Sequence, residues 1–475
     1  MTSERWSSGL GFVLATVGAA VGLGNIWRFS AVVGTNGGGA YLVPYLFAAF
    51  CLAVPMLVLE LAVGRTLRVD VVSAFRRVDV DYTPLGWVVV GGVLLILSYY
   101  LVLTGWVLGF LLSWLADSRT TFAAFTAGWL PVGYFVVATV VAGVVVSSGV
   151  RDGIERLSKI VMPTVFVLLV GLAAYAATLP AWSRAASFLF TPDLSVLADP
   201  GIWSAAFGQV FFSLSVGQGI MLTYGSYVEE GTDLLRSSLL IAVADIGAAL
   251  LAGLVIFPIV FSFGLRPTLG TELAFTTLPT AFDSMGFGRV VAVAFFGLLF
   301  FAALSSAVSL LEVGVAAATR TTRLDRSRAT LLLTGGVFLA GVPSALSYSP
   351  VRLAVAGKPF LDLLDESVGT YALPVSALLI AVVFVWRADL DRVRADLGRL
   401  YPLVKYVIPP TLALVTATKA VGAARPAWRL LLDRPRDGVV GVAVAVLVVA
   451  ALVGVGWLLR TRLPYPRPGR RRRGK

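Results

Sequence analysis

Long apolar segments separated by short polar links run through the chain. Most of them reach the roughly 20 residues that an α-helix needs to cross the hydrocarbon core of a bilayer. Length and hydrophobicity together predict an all-α integral membrane protein with about twelve transmembrane helices. The predicted helices lie near residues 9–33, 41–64, 86–115, 131–148, 154–179, 203–228, 234–264, 289–318, 329–347, 359–386, 404–422 and 439–459.

The first and the sixth of these segments are interrupted by glycine and polar residues. The interruptions read GAAVGLGN at residues 18–25 and SLSVGQG at residues 213–219. Backbone groups exposed by a broken helix cannot be satisfied by hydrocarbon, so they must face protein, ions or a polar solute. Two matching broken helices are typical of transporters with an inverted repeat and a binding site at the bilayer midplane. The alternative is a pair of kinks or small-residue packing faces, which the polar Asn25 and Gln218 disfavour.

The composition agrees with a membrane protein and argues against an enzyme. Of 475 residues, 58% are hydrophobic and 13% are charged, which excludes an ordinary soluble domain. The chain has no histidine, so it lacks the usual general base and metal ligand near neutral pH. Since no nucleophile–base constellation is evident either, we expect no enzymatic activity.

The positive charge is arranged as in a membrane protein. The net charge of +12 comes largely from arginines in the links between helices and from the C-terminal sequence RPGRRRRGK. Lysine and arginine collect on the cytoplasmic side of membranes, so a nucleic-acid partner is not needed to explain them. Arginine-rich links follow helices 2, 4, 8 and 10, which assigns these links and both termini to the cytoplasm. The arginine-rich link at residues 423–438 precedes the last helix and opposes this assignment.

We expect a multi-pass protein of the plasma membrane. The two broken helices are one five-helix unit apart, which predicts two repeats of five helices (5+5) that are inverted relative to each other, with helices 1 and 6 discontinuous. The longer links near 180–202 and 264–288 contain turn residues and are predicted to be external loops, which could pack back onto the helices. The expected segments are 1–8 (cytoplasmic N-terminus), 9–179 (first repeat, helices 1–5), 180–202 (extracellular loop), 203–386 (second repeat, helices 6–10), 387–459 (peripheral helices 11 and 12) and 460–475 (basic cytoplasmic tail).

Several stretches of helices 1 to 10, in the same order, resemble the neurotransmitter:sodium symporters, and most closely their prokaryotic amino-acid transporters. The stretches are WSSGLGFVLATVGAAVGLGNIWRF, SYYLVLTGW, GIERLSKIVMP, GQVFFSLSVGQGIMLTYGSYV, FFAALSSAVSLLE and FLDLLDESVGT. The resemblance implies a sodium-coupled symporter that imports a neutral amino acid by alternating access. A non-transporting amino-acid sensor or a channel on the same scaffold remains the alternative.

The resemblance also implies where the substrate binds. Its carboxylate would meet the backbone amides of Leu23 and Gly24, where a half-helix turns its positive N-terminal end toward an anion, and the hydroxyl of Tyr100. Family members that carry monoamines have an aspartate in place of Gly22, so this glycine favours a substrate with its own carboxylate. The implied substrate-binding residues are Ala20, Gly22, Leu23, Gly24, Ile96, Tyr100, Phe212, Ser213, Ser215, Gln218, Ser306 and Leu310.

The wall implied for the substrate side chain is mostly apolar, with one exception. Gln218 stands where relatives often place an aromatic or apolar residue. A strictly aliphatic substrate would leave its amide unpaired at a cost of about 1–3 kcal/mol. We therefore expect a neutral amino acid of medium or large size, and some polar character in its side chain is compatible with this wall.

Two sodium ions, and no organic cofactor, are implied by the same resemblance. The first would bind the carbonyl of Ala20 and the side chains of Asn25, Ser213 and Asp245, with the substrate carboxylate completing the site. The second ion would bind the carbonyls of Gly18, Val21 and Ala302 and the hydroxyls of Ser305 and Ser306. Neutral oxygen ligands suit a hard cation. The alternative for the two serines is that they hydrogen-bond to the backbone of their own helix.

Asp245 and Ala249 depart from the family pattern. Many relatives have asparagine in place of Asp245, and chloride-dependent members use a serine in place of Ala249. A carboxylate beside the first sodium could supply the negative charge that chloride otherwise brings, so we expect transport to be independent of chloride. Whether Asp245 also carries a proton on the return step is left open by the sequence.

The gates are the last features that the resemblance implies. Arg28 and Asp365 match the pair that closes over the substrate from outside, with Gln209 near them. On the cytoplasmic side Tyr227 matches a supporting tyrosine.

The inner ion pair of the family is replaced here by Ser3 and Arg320. Either Glu4 and Arg320 form an ion pair whose charges are reversed relative to the pair of the family, with Arg5 nearby, or this gate is weak. Exposed ion pairs contribute only about 0–1 kcal/mol, so neither alternative is favoured. The expected partners are a small amino acid and the lipid bilayer, without nucleic acid. The oligomeric state is not determined by the sequence.

Overall fold

The computed structural model describes residues 4–265, 271–355, 357–388 and 390–417, mostly as helix. Its first half consists of helices packed in an apolar bundle. These helices are α1 (Gly9–Ala20), α2 (Gly24–Thr35), α3 (Gly38–Leu67), α4 (Val71–Val78), α5 (Val80–Leu115), α6 (Phe122–Thr126), α7 (Leu130–Ser147), α8 (Val150–Ala176) and α9 (Trp182–Phe190).

The second half repeats the arrangement with a few short additions. A 3₁₀ turn at Leu194–Ala198 leads into it. Its helices are α10 (Pro200–Ser213), α11 (Ile220–Gly225), α12 (Leu234–Ser262), α13 (Leu273–Thr277 continued by Leu278–Asp283), α14 (Gly288–Thr321), α15 (Arg326–Ser347), α16 (Phe360–Arg387), α17 (Asp391–Leu400) and α18 (Leu403–Ala417). A small hairpin of β1 (Ala354–Val355) and β2 (Lys358–Pro359) pairs antiparallel before α16.

Local sequence accounts for where several helices begin. Ser8 caps α1 by accepting a hydrogen bond from the backbone N–H of Gly11 at 3.0 Å. Asp233 and Asp325 cap α12 and α15 in the same way, at 2.9 and 2.8 Å. Side-chain oxygens at these positions satisfy N–H groups that a helix cannot satisfy itself. The polar links between apolar segments therefore also supply the helix starts.

The described helices match the first eleven predicted segments in order. Eight helices are long and apolar enough to span a membrane, and the count is ten if each bent pair is one span. The α10–α11 pair corresponds to the remaining predicted segment, the sixth. The predicted helix at 439–459, the arginine-rich link at 423–438 and the basic tail at 460–475 lie outside the described residues.

Helices 1 and 6 are broken at the glycines that interrupt their sequences. The axes of α1 and α2 meet at 56°, and Val21 between them is extended, with ψ 102°. Between α10 and α11 the backbone takes positive φ at Ser215 (55°), Gly217 (80°) and Gly219 (68°). Glycine adopts this left-handed region without the Cβ clash that penalises other residues. The prediction of two discontinuous helices is therefore confirmed.

The two long links fold back onto the bundle, and each contains a helix where the sequence predicted a loop. In the link at 180–202, Phe188 of α9 packs on Phe257 and Phe261 of α12, with ring centroids 5.1 and 5.4 Å apart. In the link at 264–288, Phe275 of α13 packs 5.6 Å from Trp27 and 5.8 Å from Trp106. These aromatic contacts cover the end of the bundle toward which α2 and α5 run.

The surface of the bundle suits a lipid environment. Large apolar side chains of α7 and α8 point away from the core and are exposed, among them Val140, Val144, Ile160, Val167 and Val170. Helices that are apolar on their outward face as well as their inward face are typical of membrane spans. Trp106 and Phe110 of α5 are among the bulkiest fully buried side chains of the described residues.

Candidate binding site at the helix breaks

A small cavity lies between the two helix breaks, α5 and α14. Its lining residues are Ala19, Ala20, Gly22, Gly24, Asn25, Ile96, Tyr100, Phe212, Ser213, Ser215, Gln218, Ser306 and Leu310. Except for Leu23, every residue implied for substrate binding lines this cavity, and the backbone N–H of Leu23 donates a hydrogen bond to the Tyr100 hydroxyl at 3.3 Å.

The glycines of the first break keep the cavity open. A Cβ at Gly22 would lie 2.7 Å from Oγ of Ser306 and 2.9 Å from the hydroxyl of Tyr100. A Cβ at Gly24 would lie 2.9 Å from two ring carbons of Phe212. Any side chain at Gly22 would therefore occupy the space beside the Tyr100 hydroxyl.

The residues implied for the first sodium form one buried cluster of polar groups. The side-chain amide of Asn25 donates to Oγ of Ser213 at 2.8 Å and to Oδ1 of Asp245 at 2.6 Å. Oγ of Ser213 lies 2.9 and 2.8 Å from the two carboxylate oxygens of Asp245. The amide oxygen of Asn25 accepts the N–H of Gly22 at 2.9 Å.

The chemistry of this cluster fits a hard monovalent cation. Asp245 is fully buried, and its carboxylate and the Ser213 hydroxyl are oxygen ligands. No group of three or more histidine, cysteine, aspartate or glutamate side chains that could hold a metal occurs in the described part of the chain. A cation here would be met by the amide oxygen of Asn25, whereas in the structure the amide nitrogen faces Asp245.

The residues implied for the second sodium are brought together where α1 ends against α14. Oγ of Ser306 reaches across to the carbonyls of Gly18 and Ala19 at 3.3 and 3.4 Å. Oγ of Ser305 instead donates to the carbonyl of Ala302 on its own helix at 3.0 Å, which is the back-bonding that paired serines allow. Val21 follows directly on the end of α1, so its carbonyl lies in the extended segment after Ala20.

The ion pair expected for the outer gate is not formed. No ion pair joins Arg28 and Asp365 among the described residues, and the Arg28 guanidinium instead lies 4.4 Å from the ring centroid of Phe212. Nε2 of Gln209 donates to the carbonyl of Gly24 at 2.9 Å, while its Oε1 is buried without a partner in the described chain. Asp365 lies beside Gly369, where a Cβ would meet its Oδ1 at 2.9 Å.

At the N-terminal end of α1, the structure corrects one suggested ion pair. Glu4 does not pair with Arg320, because Arg320 donates to the carbonyl of Arg68 at 2.6 Å. Glu4 instead lies 3.6 Å from Arg326 and accepts the N–H of Val150 at 3.3 Å. The choice between Arg320 and Arg326 depends on how α14 and α15 meet the N-terminal residues. Ser3 lies outside the described residues.

Arg326 is the centre of a network that the sequence analysis missed. Its guanidinium binds the carboxylate of Glu312 at 2.6 and 3.2 Å. The hydroxyl of Tyr227 donates to the same carboxylate at 2.7 Å. The signal was available, because Glu312 lies in the apolar stretch FFAALSSAVSLLE, and an ionisable residue inside a membrane segment usually has a function and a partner.

A second missed carboxylate, Glu155, holds the residues that precede α1. It accepts hydrogen bonds from the backbone N–H of Ser7 at 2.7 Å and from the Ser7 hydroxyl, and it pairs with Lys159 at 2.7 Å. Beside it, Nε1 of Trp6 donates to the carbonyl of Tyr224 at 3.1 Å. The N-terminal residues are thus fixed across the end of the bundle at which α1 begins.

A third missed carboxylate, Glu60, supports the second break. Its Oε1 accepts the backbone N–H of Gly217 at 2.7 Å. A Cβ at Gly217 would lie 2.8 Å from the backbone nitrogen of Ala377, so α16 approaches the break closely. The backbone of this break is therefore held from α3 and α16.

An apolar helical bundle with two broken helices and a polar cavity between the breaks defines a class of protein, the secondary transporters with discontinuous helices. The model of the sodium:neurotransmitter symporter family matches residues 3–130 and 128–408. The chain belongs to this family.

Individual relatives agree with the family assignment. An uncharacterized sodium-dependent transporter of Methanocaldococcus jannaschii is 33% identical over 426 residues, covering 84% of this chain and 85% of that protein. The uncharacterized sodium-dependent transporter YhdH of Bacillus subtilis is 33% identical over 440 residues, covering 86% of this chain and 96% of that protein. The crystal structure of MhsT in complex with L-phenylalanine superposes with a TM-score of 0.81 at 37% identity, covering 88% of this chain and 99% of that chain.

The protein is therefore a multi-pass membrane protein that transports a small molecule in a sodium-dependent manner, and it is not an enzyme. The predicted all-α membrane fold and the predicted family are both confirmed. The roles of individual residues in the cavity and the gates remain predictions.

Proposed function

We propose that this protein imports a neutral amino acid together with sodium by alternating access. The observation that carries the proposal is the lining of the cavity between the breaks. This lining includes the Tyr100 hydroxyl and lies beside the backbone amides of the first break, which suit a carboxylate. The described residues that line the cavity include no charged side chain. A charged substrate side chain would be buried there without a partner, which is costly. The L-phenylalanine bound in the structure of MhsT agrees with this class of substrate.

Two sodium ions would be coupled to the substrate because their proposed sites border the same cavity. Ser213 lines the cavity and contacts Asp245 of the first cluster, and Ser306 lines it and contacts the end of α1. Two charges moving through a potential of about 100 mV supply about 4.6 kcal/mol. A tenfold sodium gradient adds about 1.4 kcal/mol per ion, and the sum of about 7 kcal/mol would support roughly 10⁵-fold accumulation.

We infer that transport does not require chloride. Asp245 is buried at the first sodium cluster and places a carboxyl group there, and the buried Ala249 one turn later offers no hydroxyl to an anion. A negative charge within a few ångströms would balance the sodium ion as a bound chloride does in chloride-dependent relatives. The arginine-rich links support a plasma-membrane orientation with both termini in the cytoplasm.

The proposal is tested with purified protein in proteoliposomes. Labelled neutral amino acids are offered with an inward sodium gradient, with potassium in place of sodium, and with gluconate in place of chloride. We expect uptake that needs sodium, persists in gluconate and is lost in Tyr100→Phe, which removes the hydroxyl but keeps the ring. Binding without uptake or exchange would identify a sensor and refute the transport proposal, and uptake that stops in gluconate would refute chloride independence.

A further inference from the structure

The polar side chains that line the cavity differ in whether the protein already satisfies them. Tyr100 accepts from Leu23, Ser215 donates to the carbonyl of Ala19 at 2.9 Å, and Ser306 reaches the carbonyls of α1. Asn25 and Ser213 are bound to Asp245. Gln218 lines the same cavity and is only 4% exposed, yet it makes no hydrogen bond within the part of the chain that the structure describes.

The backbone on both sides of Gln218 is fixed, so this residue cannot easily turn away from the cavity. Gly217 is held by Glu60 and faces the backbone of α16, as described above. Gly219 has a φ of 68°, and a Cβ there would lie 2.7 Å from Cγ2 of Val71. The amide is therefore attached to a restrained segment of the second break.

An unpaired amide that borders a cavity has a definite chemical complement. The glutamine side chain offers two N–H donors and a carbonyl acceptor. A hydrocarbon substrate side chain would leave these groups without partners in a closed cavity, whereas a hydroxyl, amide or indole N–H would satisfy them. Sites with a polar group placed for a substrate hydrogen bond discriminate strongly against analogues that lack it.

We propose that Gln218 makes this protein selective for neutral amino acids whose side chain carries an uncharged hydrogen-bonding group. This inference rests on the proposed function as an amino-acid transporter. The carboxylate end of the substrate is bound at the first break, and its side chain extends toward Gln218 at the second. The remaining wall, formed by Ile96, Phe212 and Leu310, contacts the hydrocarbon part of the side chain.

The test compares sodium-dependent binding of amino acids in pairs of similar shape. The pairs are threonine and valine, asparagine and leucine, glutamine and methionine, and tyrosine and phenylalanine, measured on purified protein by competition with a labelled ligand. The inference is judged on the pair that contains the amino acid with the highest affinity, which we call the deciding pair. We expect its polar member to bind about tenfold tighter or more. Equal binding, or tighter binding of the hydrocarbon member, would overturn the inference.

Two variants test whether the side-chain amide of Gln218 causes the selectivity. In Gln218→Met, and in Gln218→Leu as a second variant, the ratio within the deciding pair should fall to about one or invert. Since the ratio is measured on the same preparation, partial loss of folded protein cancels. Leu331→Met changes an exposed side chain of α15 outside the cavity and should keep the wild-type ratio. An unchanged ratio in both Gln218 variants, or the same collapse in Leu331→Met, would overturn the inference.

The result also separates this inference from the proposed function. If no amino acid binds more tightly in sodium than in potassium, the proposed function fails and the inference with it. If amino acids bind in a sodium-dependent manner but the hydrocarbon members are preferred, only the selectivity assigned to Gln218 fails.

Discussion

The two ends of the transport path differ in how firmly they are held together. Beyond the cavity on the α2 side, Arg28 and Asp365 are not paired, and Arg28 rests on the ring of Phe212. At the end where α1 begins, Arg326 is bound by the fully buried Glu312 and by Glu4. Breaking a buried ion pair costs far more than losing an exposed one. The comparison implies that opening the Glu312 end is the more costly conformational step.

The largest expected effect is that of removing Glu312. Glu312→Ala would leave the Arg326 guanidinium without its two-point partner and the Tyr227 hydroxyl without its acceptor. Loss of one partner of a buried ion pair costs about 3–5 kcal/mol. The measurement is the free energy of unfolding of the purified protein in detergent. Arg328→Ala is the control, because its pair with Asp325 is exposed, and a loss below about 1 kcal/mol in Glu312→Ala would contradict the comparison.

Glu155 should have the next largest effect. Glu155→Ala removes the acceptor for Ser7 and the partner of Lys159, and hydrogen bonds to a charged group contribute about 1.5–3 kcal/mol. We expect residues 4–8 to detach, so that trypsin cleaves faster at the exposed Arg5. Glu155→Gln keeps an acceptor and should be cleaved at an intermediate rate. Equal cleavage rates in wild type and Glu155→Ala would show that this contact does not hold the segment.

Glu4 should contribute less than either buried carboxylate. Its side chain is 35% exposed and its carboxylate lies 3.6 Å from Arg326, so Glu4→Gln should cost only about 0–1 kcal/mol. The loss should shrink further at high ionic strength, because salt screens exposed charges. Unfolding of wild type and variant at low and high salt measures this difference. A large, salt-independent loss would place Glu4 among the buried partners instead.

The smallest expected quantity is the coupling between Arg28 and Asp365. The two side chains do not form an ion pair, so Arg28→Gln and Asp365→Asn should have additive effects on the free energy of unfolding of protein without substrate. Arg28→Gln alone should cost about 0.5–1 kcal/mol, because it removes the contact of the guanidinium with the Phe212 ring. A double-mutant cycle measures the coupling, and the same cycle on Glu312 and Arg326 provides the contrast. Strong coupling of Arg28 and Asp365 without substrate would remove the difference between the two ends.

Features that depend on local sequence could be predicted well. Segment length and hydrophobicity located the membrane helices, since crossing hydrocarbon imposes a minimum apolar length. The glycines near Gly22 and Gly217 marked the two breaks, because only certain residues tolerate an unwound backbone there. The short helices α9 and α13 in the long links were not predicted, since their apolar faces become evident only against α12 and the aromatic cluster around Phe275.

The sequence by itself determined that this chain crosses a membrane many times, breaks two of its helices and gathers uncharged polar residues at the breaks. Only the tertiary structure decided which of those groups are already satisfied and which is left unpaired, and which arginine meets Glu4. Helix formation and breaking depend on neighbours within a few residues of the chain. The pairing of Glu4 with Arg326 and the isolation of Gln218 depend on distances between side chains that only the packing of remote helices sets.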